Sequence, residues 1–112
     1  PHRDLHSFPT RRSSDLGRGN PGIGVAAAEW IARQTPMLVG ADTPPVEVNP
    51  NPDSNLSLPT HQIMLVVNGI HLLENLKLDE LAAKAVYEFA LIVEPLKIQG
   101  ATGSTVAPIA IR

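Results

Sequence analysis

THQIMLVVNGIHLLENLKL, residues 60–78, sets the architecture of this chain. An apolar run follows His61, the chain turns at Asn68-Gly69, and a second apolar run ends at Glu74-Asn75. The first run predicts a helix over residues 59–68, preceded by Leu58-Pro59, with Thr60 as its cap and His61 at the positive end of the helix dipole, which keeps an imidazole neutral as a metal ligand or base must be. Asn68-Gly69 predicts a left-handed exit, because glycine tolerates positive φ without a steric cost. Ile70-His-Leu-Leu73 then predicts a strand on which His71 faces away from Ile70. One imidazole and one carboxylate thus bracket a buried aliphatic scaffold, which is how metal and acid/base sites are built. The same spacing also describes an ordinary helix-turn-strand unit with a polar residue at each end.

Upstream, residues 17–24, GRGNPGIG, carry loop chemistry, and their glycine spacing is not that of a dinucleotide-binding loop. Pro21 suits a first helical turn. Residues 25–34, VAAAEWIARQ, predict a helix with Val25, Ala28, Ile31 and Ala32 on one face and Trp30 one step off it. Met37-Leu-Val-Gly40 predicts a short strand, and Asp42 lies in the turn that leaves it. Pro44-Pro45 breaks regular structure, residues 46–48 form a brief strand, and residues 49–53, NPNPD, form a polar surface loop. Downstream, residues 78–84 predict a short helix, and residues 85–98 a long strand interrupted at Glu94-Pro95. Residues 100–104, GATGS, form a glycine-rich turn before a last strand over residues 106–111.

At 112 residues the chain holds one domain's worth of sequence, and it has no cysteine for disulfides, thiolate metal sites or a thiol nucleophile. A formal net charge of -2 without a basic face argues against nucleic acid or an anionic membrane as partner. Apolar runs far shorter than the ~20 residues of a membrane span, and no secretory leader, point to a soluble cytoplasmic protein. Residues 1–16, PHRDLHSFPTRRSSDL, show neither helical nor strand periodicity and read as disordered. From His2 to Leu16 they resemble the conceptual translation of a common sequencing-library adapter, which leaves Pro1 unexplained. They are set aside as an artefact, along with the His2/His6 and Arg11-Arg12 pairs within them, and residues 17–112 carry the fold.

Several pieces of residues 19–112 occur in an order that resembles the C-terminal part of the cyclase-like metal-dependent hydrolases, the family of bacterial kynurenine formamidase and isatin hydrolase. The pieces are NPGIG, VGADT with VEV, HQ, NGI, ENL with LDEL, YEF, PLKI, GATGS and PIAI. The resemblance implies an α/β fold, here the C-terminal fragment of a compact cyclase-like mixed sheet with helices. It also implies a divalent metal, zinc or manganese, and hydrolysis of a small amide or lactam through a metal-activated water, with an arylformamidase-like parent in tryptophan catabolism. On that resemblance His61 matches the family's C-terminal histidine, expected to be catalytic, and Glu74 matches a metal-site glutamate. Gln62 is an alternative metal-side group, and Thr102 and Ser104 lie near the substrate. A homodimer is implied as well.

The family's HxGTHxDxPxH motif, source of its main metal ligands, has no match here. His61 and Glu74 are two donors where a catalytic zinc takes three, so the chain as written is expected to be inactive and, lacking strands for its sheet to pair with, prone to aggregate. The alternatives are a catalytically dead relative serving as a binding or oligomerisation module, and a small intact α/β domain outside the family.

Overall fold

The computed structural model describes residues 19–112, so the adapter-like residues 1–16 lie outside the described residues. The architecture is mixed α/β, with short helices and two separate two-stranded sheets. It divides into two units, Pro1–Lys77, described from residue 19 onward, and Leu78–Arg112.

In the first unit, helix α1 spans Val25–Arg33, one residue short of the predicted end because Gln34 caps it. Its stripe is as the sequence predicts: Ala28 is fully buried, Val25, Ile31 and Ala32 are half-buried, and Trp30 is exposed. Pro21 is not in the helix, whose N-cap is Gly24. The segment before α1 is instead tied to the segment around Glu47, with Asn20 bridged to Asn49 and Ile23 to Glu47. Residues 46–48 are therefore held by isolated bridges rather than as a strand.

Strand β1, Leu38–Gly40, pairs in parallel with β2, His71–Leu73, in the register Leu38↔His71, Val39↔Leu72 and Gly40↔Leu73. Between them lies the predicted helix, in two geometries: α2, Pro59–His61, runs directly into a π-helical segment, Gln62–Val67. An unbroken apolar run cannot keep every side chain on one helix face. Met64 is buried and Ile63 half-buried, while Val66 and Val67 are exposed. The segment ends as the sequence predicts, with Gly69 at φ +65° and the Ile70 N–H donating to the Met64 carbonyl at 2.8 Å. Ala28, Met64 and Ile70 form the core, with Ile23, Ile31, Ala32, Val39, Ile63 and Leu72 packed on it.

In the second unit, helix α3 spans Asp79–Ala83, with Asp79 and Glu80 in its first turn where the helix dipole favours acids. Ala85 at φ 49° ends it. Of the long strand read over residues 85–98, only β3, Ala90–Ile92, forms, and of the last strand only β4, Ile109–Ile111. They pair antiparallel from Ala90↔Ile111 to Ile92↔Ile109. The apolar content of residues 86–89 favours a strand by composition, but a strand needs a neighbour for its backbone groups, and these residues pair with none among the described residues.

Candidate functional site

The turn at Gly69 returns the chain along the helix it has just left. About seven residues of helix at ~1.5 Å each, and about four of strand at ~3.3 Å each, cover similar distances. The end of β2 therefore arrives beside the start of the helix. His61 and Glu74 meet there, with the imidazole Nε2 at 3.3 Å from the Glu74 Oε1. Glu74 Oε1 also accepts the Val46 N–H at 3.4 Å. Both side chains are partly open to solvent, at 26% and 34%.

The other face of the imidazole meets a residue that the sequence did not single out. Glu47 is completely buried, and its Oε1 is in contact with His61 Nδ1. The same carboxylate caps the helix: Oε2 accepts the Thr60 N–H at 3.1 Å and Oε1 the His61 N–H at 3.1 Å. Pro59 at the first helical position has no N–H to satisfy, so Glu47 takes the next two orphan donors. Thr60 is thus not the cap. Its hydroxyl donates to the Ile23 carbonyl at 3.1 Å, and the N-cap position is held by Leu58 at φ 48°.

Connecting segments broken by proline ordinarily run over the surface. The segment is instead covered, leaving both Val46 and Glu47 buried. The sequence signal was a lone acid inside an apolar pair, fourteen residues before a helix-opening histidine.

His61 therefore sits between two carboxylates. With Nδ1 directed at Glu47, the Nε2 edge is left facing the Glu74 oxygen, at a distance where either a ring proton or a cation can lie between them. A tetrahedral zinc with bonds of about 2.0–2.2 Å separates its donor atoms by about 3.4 Å. The observed 3.3 Å fits two donors of one ion. Glu47 lies on the ring's far side and is no donor to that point, and among the described residues no group of three or more His, Cys, Asp or Glu side chains converges to hold a metal.

Gln62 is exposed, and its Nε2 donates to the Ser57 carbonyl at 2.8 Å. His71 and Asp42 are exposed. Thr102 and Ser104 belong to the second unit, where Thr102 is exposed and the Ser104 hydroxyl oxygen accepts the Leu96 N–H at 3.0 Å. Two surface hollows, one lined by Asn49, Ser54 and Leu58 and the other by Glu29, Arg33 and Asn68, are lined by neither His61 nor Glu74. Among the described residues no helix is long and apolar enough to cross a membrane.

The first unit thus presents a carboxylate–histidine–carboxylate array at the helix entrance. The chain is 35% identical over 81 residues to the kynurenine formamidase of Bordetella petrii, an alignment covering 72% of this chain and 35% of that enzyme. The chain thus spans about a third of the length of the curated relative it matches. No family model matches, and no solved structure matches.

Proposed function

We propose that this chain carries part of the active site of a metal-dependent hydrolase of small amides or lactams, formamidase-like in its reaction, with His61 Nε2 and Glu74 as two donors to a divalent cation, zinc or manganese. The observation that carries the reading is the 3.3 Å approach of these two groups, the separation of two donors on one ion. The similarity to a formamidase supports it independently. When bound, such a cation polarises the substrate carbonyl and acidifies water. The chain's own part is to orient the two donors on opposite sides of one turn: His61 at the helix entrance, Glu74 at the end of β2. No third donor joins them among the described residues, so the 112-residue chain is expected to hold the cation weakly and not to turn over substrate. The reading rests on the first unit alone.

Calorimetric titration of the full chain with zinc and with manganese tests it. One site is expected in the wild type, lost in His61→Ala and in Glu74→Ala. A wild-type chain that takes up neither ion, or variants that bind as the wild type does, would overturn the reading.

A further inference from the structure

The residue that the site depends on most is one that no motif marked. We infer that Glu47 is the positioning residue of the site: it selects the imidazole tautomer of His61 and directs Nε2 at Glu74, while the same carboxylate caps the helix on which His61 stands.

Three nitrogens converge on this one buried carboxylate: the backbone N–H groups of Thr60 and His61, which donate to it, and Nδ1 of the His61 ring, which beside an acceptor-only group is placed to donate as well. A carboxylate is the only side chain that accepts on both of its terminal atoms. An amide in its place sets its NH2 against a backbone N–H or against Nδ1–H, so the arrangement specifies an ionised acid rather than any polar residue of that shape. Because its two oxygens are already held by the helix start, Glu47 fixes the ring rather than following it. The competing acceptor, Glu74 Oε1, is farther from the ring at 3.3 Å and partly open to solvent, so in the neutral ring the proton stays on Nδ1 toward Glu47 and Nε2 carries the lone pair, which is the state a ligand or base requires.

The Glu47 backbone is itself clamped. Ile23 N–H donates to Val46 O at 3.0 Å and Val48 N–H donates to Ile23 O at 3.2 Å, one bond on either side of it. Gly22 allows this approach, since a Cβ there would come within 2.4 Å of the Glu47 carbonyl carbon and 2.6 Å of its oxygen. The segment before α1, the segment at Glu47 and the helix start are thus joined at one carboxylate, and the ring orientation is a consequence of the fold.

The use of Nε2 as a metal donor rests on the proposed function, but the tautomer does not, and the test separates them. The full chain is labelled with 15N at histidine, stripped of metal with chelator and examined at alkaline pH, where the two ring nitrogens of a neutral imidazole have distinct shifts. The wild type is expected to hold His61 mostly as the Nδ1–H form, against the Nε2–H form that dominates for an unconstrained side chain in water. Glu47→Gln is expected to return most of the population to Nε2–H. A wild-type His61 that is mostly Nε2–H overturns the inference whether or not the variant folds, as does an unchanged tautomer in a folded Glu47→Gln chain. A wild type that binds no cation yet holds Nδ1–H refutes the proposed function and leaves this inference standing.

Discussion

The two units are built on opposite principles. In the first, Ala28, Val46, Met64 and Ile70 are buried and the buried polar residues Thr43, Glu47 and Thr60 all have partners. In the second, no residue is buried among those described, and Tyr87, Phe89, Leu91, Ile92, Leu96, Ile98, Ile109 and Ile111 are 38–88% exposed. The second is no less apolar in sequence. What it lacks is a second layer: α3 is five residues long, and β3 and β4 are three residues each, too little to cover one another. Apolar composition supplies the driving force for burial, whereas enclosure depends on an element of sufficient length lying against it. Among the described residues the first unit meets that condition, and there a buried charged array acquires fixed geometry.

Substitutions sharpen this contrast. Glu47→Ala removes an acceptor from three converging donors in a fully buried place, and is expected to cost about 3–5 kcal/mol. Urea unfolding followed by Trp30, the single tryptophan and a reporter of the first unit, measures it. Met64→Ala opens a cavity in the core and is expected to cost about 2–5 kcal/mol in the same titration. Gly69→Ala meets open space but forces an alanine to positive φ, so about 1–2 kcal/mol is expected, seen as a lowered thermal midpoint. Tyr87→Ala, at 88% exposure in the second unit, is expected to move that midpoint by less than about 0.5 kcal/mol equivalent. A Tyr87 effect as large as that of Met64 would break the comparison.

Much of the first unit was legible. The α1 stripe follows from helical spacing and the exit at Gly69 from the one residue type that takes positive φ freely, whereas the nearness of His61 to Glu74 is expected from the family resemblance alone and the matched helix and strand lengths appear only in the structure. The π geometry of residues 62–67 was not legible, because an apolar run satisfies both helical periods. Nor was Glu47. Its contacts with Thr60 and His61 span 13 and 14 residues across an irregular, proline-rich segment, and no periodicity reaches that far. Over residues 85–98 and 106–111 the β-forming composition extends well beyond the strands that form, because pairing depends on a neighbour that composition does not specify.

The central claim is that a buried carboxylate makes the helix entrance and the site one structure. Native-state hydrogen exchange tests it most directly. The amides of Thr60 and His61, which donate to Glu47, are expected to be protected to the level of the Ile70 amide at the core, and far more than those of Ala90–Ile92 in the second unit. Thr60 and His61 amides that exchange as fast as those of Ala90–Ile92 would contradict it.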